Sequence, residues 1–90
     1  MKTKAELLEE YADNCGKVEL LTKKIEDVNA RCAEIDDRLD KAESINDESS
    51  VEFLSAMYNA LTEFRIELEL EKNKLEKEML EFELAAMRAE

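Results

Sequence analysis

The amino-acid sequence predicts an all-α protein, a long antiparallel helical hairpin of coiled-coil type. Three observations predict it. The 90 residues contain no Pro and one Gly, and 41% of them are charged; a chain so rich in Glu, Lys, Leu and Ala belongs to long helices. Two stretches of matched length carry apolar residues at alternating steps of 4 and 3, the spacing of an a/d seam. Between them lies ESINDESS (43–50), polar and full of turn and capping residues. One domain is expected over residues 1–90.

The first helix is expected at about 3–44. Its seam reads Leu7, Tyr11, Asn14, Val18, Leu21, Ile25, Val28, Cys32, Ile35, Leu39, Ala42, with Asn14 its one strongly polar member. Gly16 is its weak point, because Gly costs about 1 kcal/mol against Ala in a helix interior. It follows Ala12-Asp13-Asn14-Cys15 and marks where a short separate N-terminal helix would end.

The turn is expected at about 45–49. Ser49-Ser50-Val51-Glu52 fits a capping box, in which the Ser oxygen and the Glu carboxylate satisfy orphan amides at a helix start. The second helix is then expected at about 50–89, with the seam Leu54, Met57, Leu61, Phe64, Leu68, Glu71, Leu75, Glu78, Phe82, Ala85, Ala89. Folding the chain so that residue i faces residue 96 − i keeps both seams in phase, from Leu39 against Met57 to Leu7 against Ala89. Glu71 and Glu78 interrupt the seam. A local stutter that turns Lys72 and Met79 inward is the plainer account of them, and a role in fixing register or partner choice the sharper one.

One segment of the second helix, Phe64-Arg65-Ile66-Glu67-Leu68-Glu69-Leu70-Glu71, alternates apolar and charged residues as a surface strand would. A single Glu-laden strand has nothing to pair with, so helix is expected. In a helix, Ile66 and Leu70 fall outside the seam. Leu80, Leu84 and Met87 follow on the same outer face, again at steps of 4 and 3. The second helix therefore has two apolar faces, and a hairpin partner covers only one. A thin two-helix hairpin buries little for the chain entropy it loses. The outer face of Ile66, Leu70, Leu80, Leu84 and Met87 is expected to pack on another protein or on a second copy, completing the fold by partnership or oligomerisation.

Composition excludes several function classes. A net charge of −11, from 24 acids against 13 bases, disfavours direct binding to nucleic acid or to an anionic membrane. There is no His, no Gly-rich phosphate loop and no CxxC. No enzymatic activity, cofactor or metal is therefore expected. No apolar run approaches the ~20 residues of a membrane span, and the first thirteen residues lack a continuous apolar signal segment. A cytoplasmic protein is expected. Cys15 and Cys32 would stand about 25 Å apart on one helix, too far to bridge, so both are expected as free thiols.

Two functional readings remain. The first is a protein–protein interaction module, a small adaptor, chaperone or inhibitor using the outer face of the second helix. In overall shape the hairpin resembles the small hairpin co-chaperones that guard needle subunits in bacterial type III secretion. The likeness covers most of the chain and lies in pattern alone, without a shared motif. The alternative is an acidic decoy that mimics nucleic acid, as some phage-encoded anti-restriction and anti-CRISPR proteins do, through the tip residues Asp36, Asp37, Asp40, Glu43, Asp47 and Glu48. Residues 34–52 hold eight acids against two bases. Duplex DNA as long as a 40-residue helix carries about 35 charges, so the chain as a whole has under a third of that density. An EF-hand reading of the same acids fails, because the loop lacks a central Gly and alternating oxygen ligands.

Overall fold

The computed structural model describes residues 2–88 and consists of two helices, α1 (Lys4–Ser44) and α2 (Glu48–Arg88), packed antiparallel as a hairpin. The result is a rod of 66 × 14 × 13 Å. Ala89, which the sequence places on the seam opposite Leu7, lies outside the described residues.

α1 begins at Thr3, whose hydroxyl oxygen accepts from the Glu6 amide at 3.2 Å while its carbonyl accepts from Leu7 at 3.0 Å. The helix then runs without a break through Gly16. A separate N-terminal helix does not form, because Gly16 keeps helical backbone and its neighbours bond normally across it. Every expected α1 seam residue is buried or half-buried, from Leu7 to Ala42.

The turn is only three residues long. Asn46 takes the left-handed conformation (φ 58°), donates to the Glu43 carbonyl at 3.1 Å, and is followed by Asp47 donating to the Ala42 carbonyl at 3.0 Å. This pair of bonds is a Schellman motif with Asn in place of the usual Gly. Asp47 then caps α2: its carbonyl accepts from Val51 at 3.0 Å, and its carboxylate accepts from the Ser50 amide at 3.2 Å and hydroxyl at 2.6 Å. The two Ser50 bonds hold the Asp47 carboxyl below its ordinary pKa. The expected cap at Ser49 is displaced by this one. An aspartate that also ends α1 satisfies both helices, and its charge suits the positive end of α2.

Starting α2 two residues early changes its register. The Tyr11 hydroxyl donates to Glu83 Oε1 at 2.8 Å, and Arg65 Nη1 donates to Asn29 Oδ1 at 3.1 Å. In both pairs the residue numbers sum to 94 rather than the expected 96. The inward positions of α2 are Val51, Leu54, Tyr58, Leu61, Arg65, Leu68, Lys72, Leu75, Met79, Phe82 and Ala86, regular at steps of 3 and 4 with no stutter. Met57 and Phe64, expected inside, are exposed, and Tyr58 and Arg65 take their places; Glu71 is exposed while Lys72 and Met79 face inward, as a stutter would have turned them, but within a regular repeat. Arg65 and Lys72 lay their methylene stems over the seam and send their charges out, to Glu69 at 3.9 Å and Glu76 at 3.7 Å. Glu78 and Ala85, also expected inside, share the half-buried flank beside Met79 and Ala86.

The core falls into two patches. Leu21, Val28, Cys32 and Leu68 form one, and Ile35, Ala42 and Leu54 the other, joined by Tyr58 and Leu61. Nearer the open end the seam is only half-buried, apart from Asn14.

Two outcomes follow from these local geometries. A Cβ added at Gly16 meets nothing within 4 Å, so Gly16→Ala raises unfolding free energy by about 1 kcal/mol in urea titration followed by circular dichroism. The Asp47 cap acts through a depressed pKa. Its contribution is whole above the unfolded aspartate value of about 4 and is lost as pH falls through the lower folded value. Between pH 5 and pH 2 the thermal midpoint of Asp47→Asn therefore falls less than that of the parent chain.

Candidate partner-binding face

α2 has a left-over apolar surface because its pattern serves two seams. With the inward seam at Val51, Leu54, Tyr58 and so on, Ile66 and Leu70 stand on the opposite side of the helix, and Leu80, Leu84 and Met87 continue the same side. All five are between 44% and 71% exposed. The structure therefore brings the expected partner-binding residues together as one stripe, facing away from α1.

The stripe is itself a heptad. From Ile66 the steps of 4 and 3 run through Leu70, Asn73, Lys77, Leu80 and Leu84 to Met87, three heptads and about 31 Å of helix. Apolar residues lie at both ends, and two polar ones, Asn73 and Lys77, at the middle. At its C-terminal end the stripe meets a groove of about 350 Å³ between the helices, lined by Leu7, Leu8, Tyr11, Phe82, Glu83, Ala86 and Met87. A shallower hollow along Glu76, Lys77, Met79, Leu80 and Glu83 continues it toward the middle of the rod.

Charged residues frame the stripe in two lines at seven-residue spacing. One alternates in sign: Glu67, Lys74, Glu81, Arg88. The other is acidic, Glu69, Glu76 and Glu83, and each of its members is engaged within the chain, by Arg65, Lys72 and the Tyr11 hydroxyl in turn. Glu83 pushes the Tyr11 phenol above its ordinary pKa, through the hydrogen bond first and its negative charge second.

The structure also exposes apolar residues that the sequence pattern had placed inside. Met57 and Phe64, together with Phe53, form a short flank near the turn, beside a groove of about 400 Å³ lined by Arg31, Glu34, Ile35, Arg38, Met57, Ala60 and Leu61. The signal that identifies them is the turn: a three-residue connection sets the seam one residue later at alternate positions.

Of the acidic tip, Glu43 and Glu48 come together at the turn, lining with Asn46, Val51 and Glu52 an open hollow of about 480 Å³. Asp37 pairs with Lys41 at 3.1 Å, and Asp47 is held by Ser50 as the helix cap. Asp36, Asp40, Glu43 and Glu48 are exposed. Among the described residues no group of three or more acidic, Cys or His side chains is placed to hold a metal ion, and no helix is long and apolar enough to cross a membrane. The chain matches no known protein-family model, and no similar curated protein or solved structure was found.

Glu83 gives this region a spectroscopic handle. In a Tyr58→Phe background, tyrosinate absorbance reports Tyr11 alone among the two tyrosines. Its midpoint lies above about 10 and returns toward that ordinary value in Glu83→Gln.

Proposed function

We propose that this chain is a non-enzymatic protein–protein interaction module, a small adaptor, chaperone or inhibitor, and that it binds its protein partner through the outer face of α2. The observation that carries this reading is the exposed stripe of Ile66, Leu70, Leu80, Leu84 and Met87. Surface side chains of this size scatter singly on an ordinary solvated helix. Here they hold heptad spacing over three turns of the repeat, which is the pattern by which one helix recognises another. Apolar burial supplies the affinity, and the charged lines beside it supply alignment. Direct contact with nucleic acid or membrane has no place in this reading, given the net charge of −11. The free Cys15 and Cys32 suit a reducing, cytoplasmic setting. Nucleic-acid mimicry by the tip has less support, since Asp47 and Asp37 are already engaged within the fold.

The test is a paired substitution on the stripe. Leu80→Asp with Leu84→Asp is expected to keep the helical circular dichroism spectrum while losing whatever tagged wild-type chain retains from host extract, or losing its self-assembled mass. Unchanged capture and unchanged mass together refute the reading.

A further inference from the structure

The turn half of the rod has an apolar side that neither the seam nor the outer stripe accounts for. Residues 53–62, FLSAMYNALT, carry no charge, the longest such run in a chain that is 41% charged. Leu54, Tyr58 and Leu61 of this run turn toward α1. Phe53, Met57, Ala60 and Phe64 follow one another at steps of 4, 3 and 4 on the flank beside them, and all four are exposed. Across from this flank stand Arg31 and Arg38 of α1, on the far wall of the groove of about 400 Å³.

The two arginines have no acid facing them. Along this edge of the hairpin, residue numbers summing to 95, one more than in the observed cross-helix hydrogen bonds, set Lys17 beside Glu78 and Lys24 beside Glu71. The same sum sets Arg31 beside Phe64 and Arg38 beside Met57. The repeat that opposes cations with acids in the open half thus opposes them with apolar side chains near the turn. Neither arginine makes an ion pair among the described residues. Of the residues that line the groove, these two are basic and Glu34, between them on α1, is acidic. The groove therefore holds one positive charge in excess within a chain of net −11.

We propose that this groove is a second docking site, taken by an amphipathic helix of a protein partner that carries two carboxylates one heptad apart. Phe53 to Phe64 is an apolar strip of about 16 Å, and Arg31 and Arg38 stand about 10 Å apart along α1, at ~1.5 Å per residue. A lone phosphate or a fatty-acid head reaches only one of the two guanidiniums. A helix lying along the groove reaches both, with Asp or Glu at i and i+7 on its flank over α1 and apolar residues on its flank over α2. The guanidinium fork suits a carboxylate, and arginine beside exposed aromatic rings is the composition of interface anchors. Glu34 stands where the middle of that acidic flank would lie, so a neutral or basic residue belongs between the two carboxylates. A uniformly acidic segment is disfavoured by Glu34 and by the acids of the tip. The site lies across the seam from Ile66 and does not rest on the reading of the outer face.

The experiment selects binders of the immobilised full chain from a displayed library of amphipathic helices about five turns long, at ~3.6 residues per turn. Peptides that enrich are then titrated against variants by calorimetry. The expected winners carry paired Asp or Glu at seven-residue spacing on one flank. Arg31→Glu with Arg38→Glu weakens them about tenfold or more, and exchanging the paired acids of the peptide for Lys recovers most of that loss. Lys17→Glu with Lys24→Glu makes the same change in net charge on the same edge outside the groove, and is expected to alter binding less than about twofold. Both pairs are exposed on α1 or at its edge, and circular dichroism checks that each variant keeps its helix. Met57→Glu also weakens binding, whereas Leu80→Asp with Leu84→Asp leaves it unchanged.

Winners without paired acids, no winners, or binding that ignores Arg31 and Arg38 overturn the proposal. So does a light-scattering mass that is dimeric for the parent chain and monomeric for Met57→Glu, because a second copy would then be the occupant. Peptides lost on Leu80→Asp with Leu84→Asp but kept on the arginine variant support the outer face and overturn this site. The two readings therefore fail separately.

Discussion

Everything in this hairpin depends on a turn of three residues. Asn46 in the left-handed conformation lets α1 close on itself, and Asp47 both ends α1 and caps α2. With so short a connection there is little freedom for one 41-residue helix to slide along the other. The turn sets the register, the register sets which residues of α2 face α1, and the remainder face outward by default. The outer stripe is therefore a consequence of turn chemistry some twenty residues away in sequence. A longer or looser turn would allow Met57 and Phe64 to compete with Tyr58 and Arg65 for the seam.

That competition explains how much was legible in the sequence. The all-α hairpin, the α1 seam and the location of the turn could be read from spacing alone, because α1 offers one apolar stripe and no rival. The stripe of Ile66, Leu70, Leu80, Leu84 and Met87 could be read for the same reason: it lies far round the helix from either choice of seam. The α2 seam could be read only in part: Leu54, Leu61, Leu68, Leu75 and Phe82, and the inward Lys72 and Met79, follow from spacing, whereas Tyr58 and Arg65 do not. Its true positions include Arg65, which a hydrophobicity pattern scores as surface, while the apolar Met57 and Phe64 sit one residue earlier. Only the methylene stems of Arg65 and Lys72, lying over an otherwise apolar seam, resolve the choice. The cap was missed on similar grounds. Ser49 to Glu52 satisfies a capping-box pattern, but Asp47 is reached first and serves two helix ends at once.

Charge is distributed unevenly around the rod. Lys17, Lys24, Arg31 and Arg38 recur every seven residues along one edge of α1 and make no ion pair among the described residues. Glu69, Glu76 and Glu83 run along an edge of α2 and are all engaged. A chain with 24 acids and 13 bases thus sets one line of cations along an edge of α1 and ties down part of its acidity beside the outer stripe. The ion pairs are surface pairs and contribute little stability individually. Their effect is on which surfaces can approach one another.

The distribution of burial relates the fold to the face. Every buried apolar residue lies between Leu21 and Ala42 on α1 or between Leu54 and Leu68 on α2, and no described side chain reaches full burial. The open end, where Leu7, Tyr11, Val18, Leu75 and Phe82 are only half-covered, is the weakest part of the seam. Leu80, Leu84 and Met87 lie on this same end, with the groove at Leu7, Leu8 and Phe82 opening beside them. A helix laid along the stripe would cover exposed side chains where the hairpin is least able to bury them by itself. Stability of the open end and occupancy of the outer face are then linked by mass action: whatever binds the folded end and not the frayed one stabilises it. The turn end carries the fold, and a partner on the outer face would act on the stability of the open end.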